Sequence, residues 1–286
     1  MDTMRTAKEH IVKDMTKQAS NKKSLVLSLD NKPVENTIPI FKISGIGGHV
    51  ISSQLIARGL SDKWKTYGLL HPVFRGYEYN TIEDNARLMA EQILESHPEG
   101  PYYLIGYSMG GLIAIEIARI MKNLSHDARV ILLDTKPPNL PPLKPLIVRL
   151  PIYIRWYAEK LYAQYFNKGK LDTKKKAIVT YEDHNSIPNL PKTIRKAFQL
   201  GREAVNSYVA SYCPVNTVLV RSEEIAWWDN LRKWTPDYGW TEYVNLKAVI
   251  PCPGDHLDMI RADQYWKTTG EALEQALDML HNNPGT

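Results

Sequence analysis

Apolar and polar positions along the chain follow two periods. Short β-branched and leucine-rich runs predict strands at Leu25 to Leu29, Ile38 to Ile43, Tyr67 to Leu70, Tyr103 to Ile105, Arg129 to Leu133, Thr217 to Arg221 and Leu246 to Ile250. Between them, apolar residues recur at helical spacing over Ser52 to Leu60, Thr81 to Ser96, Leu112 to Ile120 and Asp263 to Leu280. The second of these helices opens with Thr81-Ile82-Glu83-Asp84, which resembles a capping box. In the third, Glu116 and Arg119 mark the wetter edge. Strands alternating with helices predict an α/β fold, a mostly parallel central sheet with helices on both faces. The first two strands flank a turn at Asp30-Asn31-Lys32-Pro33 and predict an antiparallel hairpin.

One stretch breaks the alternation. Pro137 to Cys213 has no strand pattern but carries amphipathic, tyrosine-rich segments at Ile152 to Phe166 and Ile194 to Tyr212. An insertion of about residues 137–213 between two strands, at the sheet edge where ligands bind, reads as a helical lid rather than a thickening of the core. Tyr157 and Tyr208 are the tyrosines expected to shape a channel beneath it. Residues 1–23 are polar, with only Ile11, Val12 and Met15 in a helical stripe, and read as an extension to one domain over residues 24–286.

Composition narrows the chemistry. The net charge of +5 (36 basic less 31 acidic) is modest, and neither basic cluster, Lys22-Lys23 or Lys174 to Lys176, is interleaved with aromatics as a nucleic-acid surface would be. A mild positive charge suits an acidic protein partner. Cys213 and Cys252 are far apart and outside any C-x-x-C spacing, so neither a disulfide framework nor a metal site is expected. A charged N-terminus without an apolar core, and the lack of any long apolar run, argue against secretion or a membrane span and for a cytoplasmic setting.

Residues 102–111 read Tyr-Tyr-Leu-Ile-Gly-Tyr-Ser-Met-Gly-Gly, an apolar strand entering a G-x-S-x-G turn and then a helix. The glycines remove Cβ atoms that would collide when a serine is held on a sharp strand-to-helix turn, which makes Ser108 a candidate nucleophile. A serine hydroxyl needs a neighbouring base and a carboxylate to orient it. Asp134 ends the next strand and His256 follows the final one, so both reach the same sheet edge as Ser108. Asp255 and Asp258 sit too close in sequence to His256 and read as exposed loop caps. His49, His71, His97, His126 and His184 read as surface or loop residues. The loop Ser44-Gly45-Ile46-Gly47-Gly48-His49 lacks a full dinucleotide or P-loop fingerprint and suits a set of bare backbone N–H donors for an oxyanion.

Residues 96–111, together with Gly76-Tyr77-Glu78, Leu132-Leu133-Asp134 and Pro253-Gly254-Asp255-His256 in the same order, resemble the thioesterase domains of nonribosomal peptide and polyketide synthases, members of the α/β-hydrolase superfamily. The resemblance runs from about Leu25 to Leu280. It implies an α/β-hydrolase fold, a Ser108, His256 and Asp134 triad, and an oxyanion hole formed by the amides of Met109 and Ile46. The glycine loop departs from the family, with Ser44-Gly45 where His-Pro or Pro-Pro is common. The implied activity is release of an acyl, peptidyl or polyketide chain, by hydrolysis or macrocyclisation, from the phosphopantetheine thioester of a carrier protein. That arm is substrate, and no bound cofactor is expected. The chain's length leans toward a terminal synthase domain over a free-standing editing enzyme. A carboxylester or lipid hydrolase, and a binding module without activity, are the alternatives.

Overall fold

The computed structural model describes residues 24–48, 51–166, 191–225, 229–260 and 265–282. The expected N-terminal extension, His49, His184 and the middle of the 137–213 insertion lie outside the described residues.

Seven strands form one sheet: β1 (Val26–Ser28), β2 (Ile38–Ile43), β3 (Trp64–Leu69), β4 (Tyr102–Tyr107), β5 (Ala128–Leu133), β6 (Cys213–Ser222) and β7 (Val244–Cys252). Their order is β1-β3-β2-β4-β5-β6-β7, and every neighbouring pair is parallel except the antiparallel β1 and β3. Helices α1 (Ile51–Arg58) and α6 (Trp266–Asn282) cover one face, and α2 (Ile82–Ser96) and α3 (Met109–Asn123) the other. The strands alternate accordingly: Ile40, Tyr103, Ile105, Ile131 and Leu133 pack toward α6, while Phe41, Leu104, Val130 and Leu132 pack toward α3. Both faces are buried, which explains the continuous apolar runs of β4 and β5. Each fully buried side chain here contributes about 1.5–3 kcal/mol of transfer free energy.

The expected cap of α2 is present: the Thr81 side chain accepts a hydrogen bond from Asp84 N at 3.0 Å. The expected hairpin is not. β1 pairs with β3, with Val26 opposite Leu69, and β2 lies between β3 and β4. The turn residue Asp30 accounts for this, because its carboxylate binds β3: it accepts from Thr66 N at 2.8 Å and lies 3.0 Å from Lys65 Nζ. Glu116 is buried rather than at a wet edge. Tyr208 Oη donates to its Oε1 at 2.6 Å and Arg119 Nε to its Oε2 at 3.0 Å, so the end of the insertion is moored to α3.

The insertion contains α4 (Leu146–Phe166) and α5 (Lys192–Ser207), and no extended strand among its described residues. Gly201 on α5 is buried against Ile46 and Met109: a Cβ there would lie 2.7 Å from Ile46 Cγ1 and 3.0 Å from Met109 Sδ. Tyr208 is buried against Glu116, and the Tyr157 side chain points mostly to solvent. No described helix is long and apolar enough to cross a membrane.

Candidate active site

β4 delivers Ser108 to the carboxyl edge of the sheet, and α3 begins at the next residue. Ser108 has φ 54° and ψ −125°, a strained conformation for a residue with a side chain. Long-range contacts hold it there. Ser108 N donates to Leu133 O at 3.1 Å, and its carbonyl accepts from Gly111 N at 3.0 Å and from Thr135 Oγ1 at 2.9 Å. The turn closes so tightly that a Cβ on Gly106 would lie 2.4 Å from Gly110 O, and one on Gly110 would lie 2.5 Å from Ile43 O. The flanking glycines are thus required by backbone contact, as the motif predicts. Gly111 is required too, since its Cβ would fall 2.1 Å from Thr135 Oγ1, a contact the motif does not signal.

Asp134 follows β5 with φ 45° and is 2% exposed. Its Oδ1 accepts from Ser222 N at 3.1 Å, Ser222 Oγ at 2.9 Å and Tyr238 Oη at 2.9 Å. Its Oδ2 lies 2.7 Å from His256 Nδ1. Burial alone would raise the carboxyl pKa, but the His256 hydrogen bond and charge, the Lys136 charge and the Ser222 N–H outweigh it and hold the group well below the ordinary carboxylate range. An ionised carboxylate only accepts, so His256 Nδ1 carries the proton and Nε2 is left as the acceptor.

His256 sits in the loop after β7. Its ring stacks on that of Tyr107, with centroids 4.7 Å apart and planes 22° apart, and its carbonyl accepts from Tyr107 Oη at 2.8 Å. Tyr107 precedes Ser108, so His256 is anchored to the elbow itself. Asp255 and Asp258 cap this loop, as expected. Asp255 Oδ1 accepts from the N–H groups of Leu257 and Asp258, each at 2.8 Å, and Asp258 Oδ2 accepts from Asp255 N at 3.2 Å. Asp258 is buried, contrary to expectation, because this inward bond folds it under the loop.

The glycine loop lies alongside the elbow. A Cβ on Gly45 would be 3.3 Å from Ser108 Cβ, and the loop turns through a Gly48 N to Gly45 O bond of 2.8 Å. Met109 is the first residue of α3, where helix N–H groups lack intrahelical acceptors, and its side chain meets that of Ile46 beneath Gly201. The remaining described candidates lie elsewhere. His71 is buried rather than superficial: its Nε2 is 2.6 Å from Tyr79 Oη, and burial lowers its pKa to about 4. His97 packs against Phe41 and Tyr67, and His126 against Tyr102. No cluster of three or more metal-ligating side chains occurs among the described residues. The supporting groups Tyr107, Thr135, Ser222 and Tyr238 have no signature in local spacing, although Tyr107 does fall within the elbow motif.

Residues 39–141 match the thioesterase domain family. The thioesterase match takes in Ile46, Ser108, Met109 and Asp134 and ends before His256. Among curated relatives, nonribosomal peptide synthetase pngA from Aspergillus terreus is 31% identical over 104 residues, which are 36% of this chain and 11% of that protein. Enterobactin synthase component F from Escherichia coli is 29% identical over 103 residues, 35% of this chain and 8% of that protein. The chain therefore spans about a tenth of the length of these relatives. The NocB thioesterase domain, solved as a covalent complex with a fluorophosphonate nocardicin G analog, superposes with a TM-score of 0.59 at 18% identity, over 88% of this chain and 99% of that one. The fold is that of the thioesterase α/β-hydrolase domains.

Proposed function

We propose that this chain is a serine thioesterase that releases an acyl, peptidyl or polyketide chain from the phosphopantetheine thioester of a carrier protein. The observation that carries the reading is the buried Asp134 carboxylate 2.7 Å from His256 Nδ1, with His256 stacked on the residue that precedes the strained Ser108.

His256 Nε2 takes the Ser108 proton as Oγ attacks the thioester carbonyl, and the resulting oxyanion is held by the amides of Ile46 and Met109. The carbon–sulfur bond then breaks. The pantetheine sulfur leaves as a thiol, protonated by the imidazolium, and the acyl group remains as an ester on Ser108. In the second half His256 deprotonates water, or an amine or hydroxyl of the acyl chain itself, which attacks the ester and regenerates the serine. Asp134 stays ionised and stabilises the imidazolium in both halves, consistent with its depressed pKa. The residues 137–213 act as the lid, and α5, packed on Ile46 and Met109, is the part of it that borders the reacting carbonyl.

Incubation with a panel of acyl-pantetheine thioesters, followed by intact-protein mass, tests the reading: the expected result is a single acyl adduct on Ser108. Turnover of matched oxygen esters faster than thioesters would instead favour a carboxylester or lipid hydrolase. Failure of both substrates and of a fluorophosphonate to label Ser108 would leave a binding module.

A further inference from the structure

Helix α4 is apolar, yet none of its described side chains is buried. Leu146, Ile147, Leu150, Ile154 and Tyr157 are exposed by 64%, 82%, 52%, 61% and 57%. At 3.6 residues per turn these five fall within an arc of about 100° on one side of the helix. No Lys, Arg, Asp or Glu position of α4 lies in that arc, and Arg149 and Arg155 fall outside it. The stripe is therefore uncharged and lies on the outside of the molecule; Val148 and Tyr162, off the stripe, and Leu140 and Leu143, before the helix, are exposed as well.

A monomer rarely leaves a contiguous apolar patch of more than a few hundred Å² in water. The five residues together expose roughly 600 Å², so two copies packed ridge to ridge would remove up to about 1,200 Å², the lower end of stable specific interfaces. The ridge carries no charge with which to select an acidic partner or an anionic lipid surface. Two identical uncharged ridges are complementary to each other about a two-fold axis. We infer that α4 is a homodimerisation helix, and that its stripe of Leu146, Ile147, Leu150, Ile154 and Tyr157 packs against the same stripe of a second copy.

Sedimentation equilibrium of the full 286-residue chain tests this. As loading rises from about 1 to about 100 µM, the weight-average mass should climb toward twice the 32.7 kDa chain mass. Ile154→Glu and Ile147→Glu should each stay monomeric over that range and match the wild-type melting temperature at about 1 µM, where the wild type is monomeric too, because both side chains are exposed and removing them leaves no cavity. Cross-linking supplies a second measurement. The chain's two cysteines, Cys213 and Cys252, are both buried, so Ile154→Cys introduces an accessible thiol whose oxidation should trap a covalent dimer. A wild type that stays monomeric across the range overturns the inference, as does a dimer that persists in Ile154→Glu. Flotation of a monomeric wild type with phosphatidylserine vesicles, lost in Ile154→Glu, would likewise overturn it and assign the ridge to a membrane surface.

Discussion

Replacing Asp134 with Asn removes one charge and changes little volume, which makes it the sharpest probe of the proposed mechanism. Three donors converge on Oδ1, from Ser222 N, Ser222 Oγ and Tyr238 Oη, and an amide oxygen keeps all three. The amide nitrogen then faces His256 Nδ1 at the position now 2.7 Å away. Nitrogen donates where the carboxylate accepted, so the imidazole must turn its unprotonated nitrogen toward residue 134 and carry its proton on Nε2. In that tautomer it cannot take the Ser108 proton. Loss of the correct tautomer and of the charge that stabilises the imidazolium is worth about 10³- to 10⁴-fold in kcat, or about 4–5.5 kcal/mol of transition-state stabilisation. The fold should lose only about 1–2 kcal/mol, since one charge-assisted bond becomes a neutral one. The sign with pH follows from the depressed carboxyl pKa. The stabilisation by ionised Asp134 is complete above the unfolded carboxylate value of about 4 and is lost as pH falls through the lower folded value. Wild type and Asp134→Asn should therefore differ in stability at neutral pH and converge in acid. Single-turnover acylation by a thioester, with urea denaturation as the folding control, measures both. Asp255→Asn is the comparison: it weakens the cap on Leu257 and Asp258 and should cost no more than about tenfold in rate, with about 0.5–2 kcal/mol of stability. Equal rate losses in the two folded variants, or a loss below tenfold for Asp134→Asn, would refute the assignment of the acid.

Three further outcomes are expected. Ser108→Ala should abolish the covalent adduct and lower turnover by about 10³-fold or more while keeping the fold, as checked by intact mass and melting temperature; near wild-type turnover would remove Ser108 from the mechanism. Gly201→Ala puts a methyl 2.7 Å from Ile46 Cγ1, so it should lower kcat/KM for thioesters by roughly tenfold through displacement of the Ile46 amide, and Ile46→Ala should restore it; no recovery in the double variant would show that α5 does not act through that loop. Lys42 is buried on β2 near the Tyr107 ring, and burial lowers its pKa from 10.5 to about 7. Between those values the unfolded chain binds a proton that the folded one does not, so stability should rise with pH across the window. Lys42→Met should flatten that rise, and a variant whose stability still climbs between pH 7 and pH 10 as steeply as wild type in urea titration would contradict the burial cost.

Contacts within a few residues, or dictated by chain order, were legible from the sequence. Gly106, Gly110 and the strand and helix around them announce a tight turn at Ser108, because the steric demand of that turn is local. The alternation of elements predicts a parallel sheet, and a parallel sheet brings the ends of β4, β5 and β7, and with them Ser108, Asp134 and His256, to one edge. Thr81 likewise announces its cap. Local spacing carries no information about groups distant in sequence that converge only once the sheet is assembled. Ser222 and Tyr238 reach Asp134 across 88 and 104 residues, and the reach of Tyr208 to Glu116 across 92 is what makes a residue expected at a wet edge into a buried anchor. The pairing of β1 with β3 rather than β2 was decided by the Asp30 carboxylate on the Thr66 amide, a bond spanning 36 residues. The apolar stripe of α4 is plain in the sequence; that it faces outward is a property of the folded molecule, because which side of an amphipathic helix meets the body depends on what the body offers it.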